Sequence, residues 1–237
     1  MAKKKRAVAL GNFDGLHLGH TAVINSAKQW PELSPCVLLL EPRPFAKDGQ
    51  ALITDSHKAD LLEQCGVEVI KTDFLKIKDY EPEKFFEEIL IKELNAGAVC
   101  CGFNYHFGKG GKGNSALLES LCKAAGIQFF AAKSVDFEGE PISSTRIRNA
   151  LQEGRIEEAN AMLGRNFSYC FEVVHGDKIG RTIGCPTINQ LFPPELIVPK
   201  YGVYSSRTII YGKEYRSVTN IGRRPSFEND EQRSETH

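Results

Sequence analysis

From residue 7 to about 163, short apolar runs alternate with segments of helical periodicity. Ala7–Leu10, Cys36–Leu40, Val67–Ile70, Ala98–Cys101 and Ile127–Ala132 read as buried strands. Between them, Pro82–Asn95 carries an apolar stripe of Phe85, Phe86, Ile89 and Leu90, and Pro82 suits a first helical turn. Apolar strands alternating with helices imply an α/β fold with a parallel sheet covered on both faces. Ligands of such sheets bind at the carboxyl ends of the strands, so the loops after the strands carry the interest. After Gly164 the pattern changes. Phe171–His175, Gly202–Tyr211 and Tyr215–Asn220 are β-rich, with no helix between them, and Pro186, Pro193, Pro194, Pro199 and Pro225 punctuate this part. The expectation is two domains, 1–164 and 165–237, the second a small antiparallel β-barrel. About 70 residues is thin for an independent core.

Composition narrows the partners. Lys plus Arg and Asp plus Glu each number 30 among 237 residues, so the formal net charge is zero. That balance argues against a nucleic acid or an anionic membrane surface and leaves small-molecule substrates. The seven cysteines are odd in number and contain no CxxC pair, which suggests neither a disulfide framework nor a zinc knuckle. A reducing, cytoplasmic compartment follows. Lys3–Arg6 resemble the start of a signal peptide, but the apolar run after them ends at Gly11. No run approaches the ~20 apolar residues of a membrane span.

Two segments carry chemistry. The first, Gly11-Asn12-Phe13-Asp14-Gly15-Leu16-His17-Leu18-Gly19-His20, follows the first strand and opens a helix. Gly11 and Gly15 allow a tight turn, and the new helix points free N–H groups and its positive end at whatever the turn holds. His17 and His20, three apart, share a helix face and can donate to one anion, with Gly19 leaving the approach open. This favours phosphate. Three metal ligands (Asp14, His17, His20) or two structural imidazoles fit the same residues. The second segment, Ser143-Ser144-Thr145, precedes a helical stretch from Arg146 to Gly154, and any of the three could cap it. Arg148 lies on the hydroxyl face, four after Ser144 and three after Thr145, while Arg146 points elsewhere. Hydroxyls, a helix start and a guanidinium form a second phosphate clamp.

Together these segments resemble the HxGH nucleotidyltransferase superfamily, and GNFDGLHLGH with ISSTRIR (Ile142–Arg148) resembles its flavin branch. Glu41-Pro42-Arg43-Pro44 resembles a PxP flavin-site loop, and Gly102–Lys109 its glycine-aromatic FMN loop. Gly180–Asn189 resembles a kinase motif ending in PTxN, and Pro199–Tyr204, Asn220–Phe227 and Glu235–His237 continue that pattern in order. The whole is similar to the bacterial bifunctional riboflavin kinase/FAD synthetase family. The resemblance implies a Rossmann-like nucleotidyltransferase domain followed by an incomplete riboflavin kinase barrel. It implies two Mg²⁺-dependent reactions: riboflavin with ATP giving FMN, and AMP transfer from ATP to FMN giving FAD and pyrophosphate.

The roles it implies are these. His17 and His20 stabilise charge on the ATP phosphates, Ser144, Thr145 and Arg148 hold the β- and γ-phosphates, and Gly11, Asn12, Phe13, Asp14, Gly15 and Gly19 shape the ATP site. Pro42, Pro44, Asn104 and Phe107 border the flavin. In the kinase, Glu235 is the base, and Thr187 and Asn189 bind Mg²⁺ and ATP. Arg43 and Cys185 depart from the family pattern modestly. The ending Glu235-Thr236-His237 departs most: a base on a poorly held terminus leads to the expectation of weak or absent kinase activity and a partly ordered β-domain. The rivals are another HxGH transferase, acting on pantetheine phosphate, nicotinate mononucleotide or a glycerol phosphate, and a flavin-binding module without turnover.

Overall fold

The computed structural model describes residues 4–42, 50–175, 186–225 and 230–237. Strand β1 (Arg6–Leu10) leads through a tight turn into helix α1 (Leu18–Ser26). Then follow β2 (Ser34–Glu41), α2 (Asp55–Gln64), β3 (Glu68–Asp73) and the short α3 (Phe74–Ile77). Helix α4 (Pro82–Phe85) runs on as a π-helical stretch, Phe86–Glu93, in which the Leu94 N–H reaches back five residues to the Ile89 carbonyl. The sequence predicts one regular helix here. The wider turn leaves the expected apolar residues, Phe85, Phe86, Ile89 and Leu90, facing the core.

Strand β4 (Ala96–Gly102) is followed by a small ribbon of β5 (His106–Phe107) and β6 (Gly113–Asn114), then α5 (Ser115–Ala124) and β7 (Gln128–Ala132). A second ribbon, β8 (Asp136–Phe137) and β9 (Glu140–Pro141), precedes α6 (Ser144–Glu153) and α7 (Ile156–Leu163). Strands β3-β2-β1-β4-β7 form one parallel sheet in that order. Its strands are apolar on both faces because both faces are covered. Val8, Leu10, Leu38 and Cys101 pack under the π-helical stretch and α5, while Ala7, Ala9, Val37 and Cys100 pack under α1 and α2. The order of strands reverses between β1 and β4, so a crevice opens at their carboxyl ends.

The second lobe contains β10 (Val173–Val174), β11 (Ile188–Leu191), β12 (Gly202–Ile210), β13 (Lys213–Pro225) and β14 (Asp230–Thr236). They pair antiparallel in the order β10-β11-β14-β13-β12 among the described residues. Tyr211 and Gly212, both left-handed, make the two-residue hairpin turn between β12 and β13. One expectation is corrected. Glu235 does not sit on a loose end: β14 is the middle strand, and Glu235 pairs with Asn189 on one side and Asn220 on the other. His237 then exchanges two backbone hydrogen bonds with Val218, at 2.8 and 2.9 Å.

The thin core of this lobe is supplemented by the first. Ile197 packs with Leu52, Ile147, Leu151 and Met162. The Ala51 N–H donates to the Glu195 carbonyl at 2.7 Å, and the Ile197 N–H returns a bond to the Ala51 carbonyl at 2.8 Å. Among the described residues, no helix is long and apolar enough to cross a membrane.

Candidate active site

The turn after β1 is held in an unfavourable backbone conformation. Phe13, Gly15 and Leu16 have φ of 50°, 78° and 42°. For the two non-glycine residues this costs about 1–3 kcal/mol each and persists only where the surroundings enforce it. Both side chains are buried, Phe13 and Leu16 alike in the cluster under α1. Gly15 admits no side chain, since a Cβ there would lie 2.5 Å from Leu52 Cδ1. Three successive carbonyls of the turn accept bonds from distant side chains. Ser144 Oγ donates to Asp14 O at 2.9 Å, Arg165 Nη2 to Gly15 O at 2.6 Å, and Arg165 Nη1 to Leu16 O at 3.0 Å.

The two imidazoles stand at the head of α1. His17 is the N-cap, and its Nδ1 accepts the His20 N–H at 3.3 Å, which leaves the ring proton on Nε2. The rings stack at 3.7 Å with 20° between planes. Burial pushes His17 down to about 4, helped by the Arg165 charge. Burial, then His17 and Lys58, hold His20 well below its ordinary value. At neutral pH both are uncharged donors, which keeps the expected capacity to donate to one anion. His20 Nδ1 is buried without a hydrogen-bond partner among the described residues. Gly19 also differs from expectation: a Cβ there would meet the His17 ring at 3.1 Å, so its absence makes room for the ring.

The crevice is about 740 Å³, within the usual range for small-molecule sites. Of the expected residues, Gly11, Asn12, His17, Gly19 and His20 line one wall, and Asn104 from the β4–β5 loop and Phe107 of β5 line the other. Ser144 also reaches it, beside Ser143. Phe13, Asp14, Gly15 and Arg148 are buried behind the wall, and Thr145 is exposed and does not line the crevice. Arg148 is the largest correction. Its Nη2 donates to Asp14 Oδ2 at 2.7 Å, with side chains 8% and 12% exposed, so in this state it joins the two segments and does not face the crevice. Asp14 Oδ1 accepts the Leu52 N–H at 3.0 Å. Both carboxylate oxygens are thereby engaged away from a metal role, and no group of three His, Cys, Asp or Glu side chains that could hold a metal exists among the described residues. The helix cap proves to be Ser143, accepting from the Arg146 N–H at 3.2 Å. Arg146 points away as expected, donating to the Phe137, Glu140 and Pro141 carbonyls. Pro42, after a cis peptide bond, is exposed and does not line the crevice, while Pro44 falls outside the described residues, as do Arg43 and Cys185.

Sequence reasoning missed three cations. Lys78, after α3, and Lys133, after β7, are the two charged side chains on the described wall, which contains no carboxylate. A lining of that sign suits anionic phosphates. Arg165 was not suggested by any motif, because its partners lie 149 and 150 residues earlier.

In the second lobe, Asn189 and Glu235 are directly opposed across β11 and β14, so their side chains share a sheet face. Asn189 is buried, and Thr187 lies two residues before it, exposed. A hydroxyl, an amide oxygen and a carboxylate form an all-oxygen set, which fits a hard cation that keeps waters and phosphate among its ligands. Residues 180–185 of the same motif lie outside the described residues.

The FAD synthetase family model matches residues 1–146, and the riboflavin kinase family model matches residues 163–237. A bifunctional riboflavin kinase/FMN adenylyltransferase of Bacillus subtilis (strain 168) is 37% identical over 235 residues, covering 94% of this chain and 73% of the relative. Proteins of the same description from Listeria monocytogenes and Escherichia coli (strain K12) are 35% and 33% identical, covering 95% and 97% of this chain and 75% and 77% of their own. A solved structure described as a macrolide-efflux protein from Streptococcus pneumoniae superposes with a TM-score of 0.85 at 28% identity, covering 100% of this chain and 81% of that one. With both family models placed on the two lobes that hold these sites, the chain belongs to the bifunctional riboflavin kinase/FMN adenylyltransferase family.

Proposed function

We propose that the crevice at the β1/β4 switch point is where AMP passes from ATP to FMN, and that the sheet face bearing Asn189 and Glu235 phosphorylates riboflavin. The chain is an enzyme of FAD biosynthesis, and its small-molecule substrates are ATP, FMN and riboflavin. The observation that carries the first assignment is the pair of stacked imidazoles at the head of α1, in a crevice whose described charged lining is Lys78 and Lys133.

In adenylyl transfer an FMN phosphate oxygen attacks the α-phosphorus of ATP. The bond from that phosphorus to the bridging oxygen breaks, and pyrophosphate leaves with the electron pair. The nucleophile is already an anion, so no strong base is needed. His17 donates through Nε2–H, and its fixed orientation means that little reorganisation accompanies charge development. Lys78 and Lys133 supply charge to the phosphates, and the Asn104–Phe107 side borders the flavin. Ser144 holds the Asp14 carbonyl and, with Arg148, keeps the turn in register. In the kinase, Glu235 accepts the proton of the riboflavin hydroxyl as it attacks the γ-phosphate, while Thr187 and Asn189 supply oxygen ligands to Mg²⁺. When bound with ATP, Mg²⁺ neutralises phosphate charge.

This reading divides the chain at Gly164 and places it in the cytoplasm. Six described cysteines are free, four of them buried in the sheet and its packing, as suits a reducing compartment. The paired position of Glu235 removes the reason for expecting a lost kinase. The test is chromatography of products after feeding FMN or riboflavin with ATP and Mg²⁺. FAD from FMN is expected, and its absence overturns the adenylyl assignment. Glu235→Gln is expected to lower FMN formation by about 10²–10⁴.

A further inference from the structure

We propose that Arg165 is a positioning residue for adenylyl transfer: it clamps the Gly15 and Leu16 carbonyls so that the left-handed turn presents His17 and His20 to the crevice. This rests on the reading of that crevice as the adenylyl-transfer site. It adds a residue that precedes the whole second sheet and that lies within the stretch matched by the riboflavin kinase model, 163–237. The chemistry of the first lobe is thereby tied to the first residues of the second.

The geometry has several independent parts. Arg165 spends its two terminal nitrogens on the turn, at 2.6 and 3.0 Å, with a longer bond from Nη1 to its neighbour Leu163 O at 3.4 Å. A planar fork holding two successive carbonyls fixes both peptide planes. In a trans peptide the carbonyl and the next N–H point in opposite directions, so holding Leu16 O sets the direction of the His17 N–H as well. Neither Phe13 nor Leu16 adopts its positive φ without enforcement, and Arg165 supplies charged donors from outside the turn. The chain reaches this place by design of the preceding residue. Gly164 has φ of 70°, and a Cβ there would lie 2.5 Å from Leu18 Cδ2, so the exit from α7 is seated directly against the first residue of α1. Gly164 thus brings the backbone in, and Arg165 grips.

Arg165 does not line the crevice, so it acts through the turn. Its charge is answered by carbonyl oxygens, and it also bears on the imidazole: the same cation contributes to keeping His17 uncharged. A merely structural role would lower stability without changing the rate of the folded enzyme. A positioning role changes the rate at unchanged binding.

The experiment compares the full chain with Arg165→Ala and Arg165→Lys. FAD formation is measured against FMN and ATP concentration, FMN affinity by flavin fluorescence, and folding by the thermal midpoint. Arg165→Ala is expected to lower kcat for FAD formation by about 10–100-fold, the scale of a small misplacement of reacting groups. FMN affinity should stay within about twofold, and millimolar guanidinium ion should restore part of the lost kcat. Arg165→Lys carries one point charge in place of the fork and should lose about 5–20-fold. A folded Arg165→Ala with kcat within about threefold of the parent overturns the proposal, as does a loss that guanidinium does not reverse. Should the alanine variant fail to fold, the lysine variant decides: a parental kcat overturns the proposal, and a reduced kcat at unchanged FMN affinity supports it. A parent that makes no FAD at all indicts the reading of the crevice, which separates the two failures.

Discussion

Replacing Arg148 by methionine removes one half of a buried ion pair and tests what that arginine is for. Its Nη2 lies 2.7 Å from Asp14 Oδ2, and both side chains are nearly closed to water at 8% and 12% exposure, so solvent screens them little. Two unit charges about 4 Å apart attract by about 4 kcal/mol at an effective dielectric of about 20. Removing one partner of such a pair strands the other, and the usual cost is about 3–5 kcal/mol. Asp14 keeps the Leu52 N–H at 3.0 Å, which places the expected loss at the lower end of that range. That is a large share of a total stability of about 5–15 kcal/mol. The assay is urea unfolding without nucleotide, followed by circular dichroism, with the loss read from the midpoint at unchanged slope. Asp14→Asn combined with Arg148→Met should lose less than the two single losses added, since the pair is coupled. The resemblance assigns Arg148 to the ATP phosphates, and a residue serving only there would leave unliganded stability within about 0.5 kcal/mol of the parent, the scatter of a neutral surface change. That result would refute the structural argument.

His20→Ala should lower the rate of FAD formation by about 10²–10³, the scale for one lost charge-stabilising donor, as measured by product chromatography. His17 titrates near 4 in the folded chain against 6.5 when unfolded. Between those values the unfolded chain binds a proton that the native one does not, so stability falls as pH drops through that window, by about 3 kcal/mol in total. Between pH 7 and pH 4 the parent should therefore lose about 3 kcal/mol more stability than His17→Gln, read from urea unfolding of both; parallel losses count against a buried, neutral His17. Gly15→Ala combines φ of 78° with a methyl 2.5 Å from Leu52 Cδ1, and should cost about 2 kcal/mol or more in thermal or urea unfolding.

Much of the parallel sheet was legible before folding was considered. Runs such as Ala7–Leu10 and Ala98–Cys101 announce strands covered on both sides, and Gly154 ends α6 in the left-handed conformation that its type suggests. The widened helix at Phe86–Glu93 was not legible, because an apolar stripe looks the same for either winding. Glu235 was misread for a related reason. Its nearness to the last residue is a fact about the chain, whereas its security comes from β11 and β13 on either side.

The same division runs through the crevice. Local order alone dictated that a glycine-bearing turn opens a helix with two imidazoles on one side, since backbone freedom and helical rotation are properties of neighbouring residues. It could place Ser144, Thr145 and Arg148 on a common face. It could not say that Arg148 meets a carboxylate 134 positions earlier, or that Arg165 grips the turn from 150 positions away. Those pairings, and the uncharged state of both histidines, come from which surfaces folding packs together and how much water it excludes. Spacing along a chain names the residues that share a face, but the occupant opposite that face is chosen by the rest of the molecule.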